Sequence, residues 1–265
     1  MAYRSSAVAK SDSGGDLTAT PAGSVANDYL SGFFSKDSTG QTIGAPSGWT
    51  MQYTGNPTIP DSQSFRYADK VATGSDSFTF TNNPANQSIL ICAAHSGRDT
   101  SATPTSFLTS TENTSTNASA ITAGANGGTA ASGDDLLAYF GSDGTSPGGV
   151  WSFNAASGPG AFTQRQNDST TIWSSSSLST LDNYGGGATG TVTETITLAS
   201  GSAGWTAVII AVKAAAGGAT AVGRPIRPRP RLRKSRFKRS TQGDITLTVV
   251  VNIPSHLYTT MGVGT

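Results

Sequence analysis

The chain has 265 residues, of which 35% are apolar and only 12% charged, with 32 glycines and a net charge of +1. That length suits one large β domain or two small ones. So few charges amid so much Gly, Ser and Thr argue against a helical protein, because Gly weakens helices and Ser and Thr compete for their backbone.

In chain order the pattern is one of short strands and tight turns. Residues 1–26 are polar and small, and form an arm or a first strand through Ala7–Ala9. Residues 27–35 are the first core strand, and Trp49–Tyr53 follows a turn-rich loop. Residues 64–72 alternate: Phe65, Tyr67 and Asp69 face one way, Arg66, Ala68 and Lys70 the other. Phe78 and Phe80 share a face of the next strand, and the unbroken apolar run 89–94 reads as central. Residues 100–132 are low in complexity, with edge strands expected at 105–109 and 118–122. Residues 135–140 form a buried strand between turn formers, and 161–165, 170–177, 189–198 and 205–212 supply the later strands. Cys92 lies alone in an apolar strand, so it reads as a small core residue outside any disulfide framework. The first residues lack a signal-peptide core, and no stretch reaches the roughly 20 apolar residues of a membrane helix. The protein is expected to fold in a cytoplasm.

The chain also repeats itself. Residues 27–37, Asn-Asp-Tyr-Leu-Ser-Gly-Phe-Phe-Ser-Lys-Asp, are echoed by 133–143, Gly-Asp-Asp-Leu-Leu-Ala-Tyr-Phe-Gly-Ser-Asp. Residues 45–52 then match 157–164, and the strand of Phe65 and Tyr67 answers that of Ile172 and Trp173. Ala72-Thr73-Gly74 before 78–81 corresponds to Ala188-Thr189-Gly190 before 192–197, and 89–94 to 208–212. Five matches in one order indicate an internal duplication. The expected fold is all-β, a jelly-roll-like two-sheet sandwich over 27–216, built from pseudo-repeats at about 27–100 and 133–215. Each repeat is expected to contribute strands to both sheets of one domain.

Gly15-Asp16, residues 28–34, Pro46 to Thr50, Tyr67 to Ala72 and Ala203 to Val212 resemble motifs of a group of β-sandwich proteins encoded widely in tailed bacteriophages and prophages. The resemblance spans about residues 14–215. It implies a virion structural component of the tail or head surface, assembled in a host cytoplasm, and transfers no catalytic residues.

The chemistry-bearing residues are sparse. His95 and His256 are far apart, and with one Cys there is no zinc pattern and no Cys-His pair at usable spacing. Asp134 and Asp135 are adjacent on a strand and point to opposite faces, so they do not pair as acid and base. Asp143-Gly144 and Asp182-Asn183 fit either calcium-binding loops or ordinary turns, and turn chemistry is the simpler account. No catalytic residue, metal or cofactor is expected. Trp49 and Trp205 read as core, whereas Trp151, in a Gly-rich loop, is the candidate for stacking on a sugar; a carbohydrate-binding adhesion module is therefore the alternative function.

Past residue 216 the character changes. Residues 1–223 carry 8 Lys and Arg against 15 Asp and Glu; residues 224–265 carry 9 against 1. The cations Arg224, Arg227, Arg229, Arg231, Arg233, Lys234, Arg236, Lys238 and Arg239 are interleaved with prolines that forbid a helix in the first part of the run. An extended arm over 217–243 is expected. Its partner is an acidic protein surface paired through Arg forks; nucleic acid and a bare linker are the other readings. Residues 244–265 open on a strong β segment with Ile245, Leu247, Val249 and Val251 on one face. A lone strand is unstable in water, so this one is expected to insert into a sheet of another subunit. The sequence thus leads to a structural protein that binds copies of itself and other virion proteins, and no membrane.

Overall fold

The computed structural model describes residues 2–38, 42–55, 64–83, 86–99, 105–115, 120–126, 128–144, 152–170, 174–197 and 203–215. The chain divides into two compact units, 1–221 and 222–265, and every described residue lies in the first. The basic arm and the strand of Ile245 to Val251 lie outside the described residues, as do Trp151, Trp173 and His256.

The described residues form strands and no helix. The first half contains β1 (Ala2–Ser11), β2 (Leu17–Thr18), β3 (Tyr29–Lys36), β4 (Thr42–Gly44), β5 (Thr50–Gly55), β6 (Ser64–Val71), β7 (Thr79–Asn83) and β8 (Ser88–Ser96). The second contains β9 (Thr105–Ser115), β10 (Ala120–Asn126), β11 (Thr129–Ala130), β12 (Asp135–Gly144), β13 (Ser152–Phe153), β14 (Thr163–Ser169), β15 (Ser174–Leu181), β16 (Gly187–Ala188), β17 (Thr191–Thr197) and β18 (Ala203–Val212).

The first half pairs as a five-stranded sheet β1-β8-β3-β6-β5 and a three-stranded sheet β2-β7-β4. The second repeats that order strand for strand, as β9-β18-β12-β15-β14 and β10-β17-β13, with the short pair β11-β16 added. All pairings are antiparallel. The chain crosses between large and small sheet at nearly every step, which is the winding of a jelly roll. The duplication is therefore complete. It reaches β1 and β9 as well, at 10 and 11 residues, where only short strands or an arm were expected.

Burial explains the apolar runs. Leu30, Phe34, Ala68, Phe78, Phe80, Leu90 and Cys92 form a core between the two sheets of the first half. Leu136, Ala138, Phe140, Val192, Trp205 and Ile209 do the same in the second. The opposite faces of both large sheets make a third core, with Tyr29, Phe33, Phe65, Tyr67 and Ile91 from one half and Leu137, Tyr139, Leu178, Val208 and Ile210 from the other. A strand buried on both faces reads as a continuous hydrophobic run rather than an alternating one. This is why β3, β8, β12 and β18 stood out in the sequence. The expected partition is refined here: each repeat closes its own sandwich, and the two sandwiches pack by their large sheets, instead of sharing the strands of a single pair.

The repeated Asp explains how each half starts its central strand. Asp28 accepts a hydrogen bond from Val25 N at 2.9 Å, and Asp134 accepts one from Ala131 N at 2.9 Å. The preceding residues, Asn27 and Gly133, both have positive φ, at 71° and 92°, which Gly and Asn tolerate best. Asn27 N bonds Ala72 O as Gly133 N bonds Tyr184 O. One turn is built twice, held by Asp28 in the first half and in the second by Asp134, one of the two adjacent acids weighed above.

Candidate functional site

The polar chemistry of the described residues concentrates on the seam between the halves. Tyr29 and Tyr67 share a hydrogen bond through their hydroxyls, and Tyr29 also donates to Asp69 at 3.0 Å. Gln52 Nε2 donates to the other oxygen of Asp69 at 3.1 Å. Burial, then the neighbouring Asp69 charge and tyrosines, holds the Tyr29 hydroxyl well above its ordinary pKa, and Tyr67 is raised for the same reasons. Both phenols therefore stay neutral donors across the usable pH range. Ser31 and Tyr139 hydroxyls meet across the seam at 2.6 Å, as do Ser35 and Ser176 at 2.7 Å.

At one end of this seam sits a pair that spacing did not reveal. His95 Nδ1, on β8, lies 3.4 Å from Asp135 Oδ2, on β12. Asp135 Oδ1 accepts from Asn183 N at 2.9 Å, which fixes the carboxylate. His95 Nε2 has no partner among the described residues, and Tyr3 packs edge-on against the ring with centroids 5.7 Å apart. A His held by a carboxylate is the orienting half of a nucleophile triad. Here both side chains are completely buried, and the pair ties one half to the other. The expectation about adjacent acids holds in its physical content: Asp134 turns away to its loop and accepts from Ala214 N at 3.1 Å, while Asp135 faces the seam.

The rim of the seam is closed by longer side chains. Lys10 Nζ meets Asp168 at 2.7 Å, Gln166 Nε2 donates to Ser6 at 2.7 Å, and the Arg165 guanidinium lies 4.1 Å over the Tyr3 ring. These partly exposed pairs add little individually, yet all of them link β1 to β14.

A second unexpected group lies inside the second sandwich. Glu194, on β17, is 2% exposed. It accepts from Ser177 at 2.7 Å and from Gln164 at 3.4 Å. Burial pushes its carboxyl up to about 8 against those two donors. The strand registers show what it replaces. Ile43 pairs with Asn82 in the first half as Phe153 pairs with Ile196 in the second, so Glu194 stands where the first half has Phe80. The signal was present in the sequence as one acid on the apolar phase of Val192, Glu194 and Ile196.

The remaining expectations divide cleanly. Trp49 and Trp205 are buried, at 9% and 5% exposure, and Cys92 is buried with its thiol pushed up by desolvation. Asp182 pairs with Arg165 at 3.2 Å. Among the described residues no three His, Cys, Asp or Glu side chains gather as a metal site. Trp151 and every basic and apolar position of the arm and final strand fall outside the described residues.

The Ser31–Tyr139 bond offers a direct probe of the seam. Tyr139→Phe strands a buried hydroxyl and is expected to cost about 1–2 kcal/mol. Adding Ser31→Ala removes the stranded partner and should recover part of that loss in the denaturant midpoint. Comparison with protein-family models, with curated proteins and with solved structures returns no match to this chain.

Proposed function

We propose that this chain is a structural, non-enzymatic protein of a bacteriophage virion, a head decoration or tail component, that attaches to its neighbours through the basic arm and an inserted C-terminal strand. The observation that carries the reading is the tandem jelly roll. Both faces of both large sheets are spent on packing, one on each half's small sheet and one on the seam. Such a body suits a rigid building block, and jelly rolls are a recurring architecture of viral capsids. The motif resemblance to phage β-sandwich proteins points the same way, and both supports are analogies of form.

The attachment follows from charge. Residues 224–239 carry nine cations, whereas residues 1–223 carry 15 acids and 8 bases. Arg pairs with carboxylates in fixed fork geometry, so the arm of one copy suits the surface of another. Truncation after Gly223 tests this. The truncated protein is expected to fold, to stay soluble and monomeric, and to fail to enter particles when supplied in place of the full chain. Normal incorporation of the truncated protein overturns the reading, and so does turnover of a host polysaccharide that is abolished by changing a single Asp.

A further inference from the structure

The arm's strand needs an edge to join, and the described sheets differ sharply in what their edges offer. The two large sheets have four edge strands, β1, β5, β9 and β14. Each is interrupted by one extra residue against its neighbour. The insertion is Arg4 in β1, Gln52 in β5, Leu108 in β9 and Arg165 in β14. Three of the inserted side chains are tied down. Arg4 pairs with Asp28 at 2.7 Å, Gln52 with Asp69, and Arg165 with Asp182 and Thr180. A bulge breaks the ladder and twists the edge, which is how natural sheets block strand addition. Blocking is thus built in at every edge of the large sheets, twice over through the duplication.

The small sheets are different. In the first half their described edges, β2 and β4, span only two and three residues. In the second half β13 spans two, but β10 spans seven. β10 runs in unbroken register with β17, from Ala120 opposite Thr197 to Asn126 opposite Thr191. Its sequence, Ala-Ile-Thr-Ala-Gly-Ala-Asn, carries no charge and no proline. Among the described residues no strand pairs with its other side. A regular, uncharged edge of this kind is a template for another strand.

The geometry points to β10 as the docking edge for residues 245–251 of a second copy of this chain. This rests on the proposed role of the C-terminal strand and names its acceptor. The occupant matches: Ile-Thr-Leu-Thr-Val-Val-Val is seven residues, uncharged and strongly β-forming. Residues 216–243 lie between the body and this strand, enough for roughly 85 Å of extended chain at about 3.1 Å per residue. That span crosses from one subunit to the next, and the arm's cations meet the net acidic body on the way. Backbone pairing supplies affinity, and alternate side chains supply register.

Two neighbouring substitutions in the full-length protein test it. Along an antiparallel edge, successive N–H groups alternate between the paired side and the open side. Thr122→Pro and Ala123→Pro therefore remove, one each, an N–H facing β17 and an N–H facing outward. Below the concentration at which the wild type associates, the outward one should leave the melting midpoint unchanged, since proline is tolerated where no ladder bond is lost. The same variant should weaken self-association, read by sedimentation velocity, at least tenfold. A synthetic peptide of residues 243–254 should compete with wild-type association. Wild-type association by the thermally silent variant overturns the proposal. So does a wild-type chain that is monomeric throughout, which is the outcome if the strand pairs within its own chain. If both prolines lower the midpoint, the peptide decides, and association it leaves untouched overturns the proposal. Association through β10 that particle assembly does not need would leave this docking in place and remove the virion role instead.

Discussion

Gly141→Ala is expected to destabilise the protein by about 3 kcal/mol, although the change adds only one methyl group. Gly141 lies on β12, against the Phe65 and Phe33 rings of the other large sheet. A Cβ built there would sit 2.4 and 2.7 Å from the Phe65 ring and 3.0 Å from Phe33. Neither ring has room to yield. Both are completely buried, and Phe33 stacks on Phe65 at 6.1 Å between centroids and on Tyr139 at 5.3 Å. Removing a strand glycine gains roughly 0.5–1 kcal/mol from the unfolded chain. Overpacking a rigid core costs roughly 1–3 kcal/mol, and more where backbone must shift, so the steric term wins. Phe65→Leu should relieve it. The double variant is expected to be more stable than the sum of the two single losses, with a coupling of at least 1 kcal/mol in denaturant unfolding. An unchanged midpoint for Gly141→Ala would mean that the halves separate easily at this point, contrary to the stacking described.

The same contact shows what could be read from the chain and what could not. Central strands announced themselves, because burial on both faces leaves an unbroken apolar run in β3, β8, β12 and β18. The duplication was legible as an order of matches. The pairing it implies, β3 with β12, β5 with β14, β6 with β15, β7 with β17 and β8 with β18, holds in the strand orders of the two halves. β15 was harder. It was read at 170–177 from the apolar signal of Ile172 and Trp173; Ser174 to Ser177 are buried, but serine carries no apolar signal, so the reach of the strand to Leu181 was not legible. Edge strands were read short or as arms, since β1 and β9 alternate weakly and are rich in Ser, Thr and other polar residues. The division into two sandwiches was not legible, because the face that seals the seam has the same apolar character as the face that seals each half. Long-range polar pairs were the least accessible. His95 meets Asp135 only through the register of β3 with β8 and the stacking of β3 on β12, and no local spacing encodes that.

Glu194 carries the largest pH effect expected of the described residues. Its carboxyl is raised to about 8 in the folded protein from an ordinary value of 4.5. The folded state therefore prefers the protonated form. Below about pH 4.5 the group is protonated in both states and its contribution to stability is fully present. As pH rises, the unfolded chain ionises first and gains free energy that the folded chain does not match. Stability falls until the folded carboxyl also ionises near pH 8, and then levels off. A gap of this size corresponds to about 5 kcal/mol by the high-pH end. The position explains the cost. Its counterpart Phe80 fills the first sandwich against Gly32 and Trp49, and Glu194 replaces that ring with an acid that accepts from Ser177 and Gln164. Glu194→Gln keeps the shape and the acceptor for Ser177 but cannot ionise. Its melting midpoint should match wild type near pH 4 and exceed it increasingly towards pH 8.5, by an amount equivalent to about 4–5 kcal/mol. Other titrating groups cancel in the difference between the two curves, so the decisive quantity is its slope. A difference that stays flat from pH 4 to 8.5 would show that Glu194 is ionised inside the sandwich without penalty.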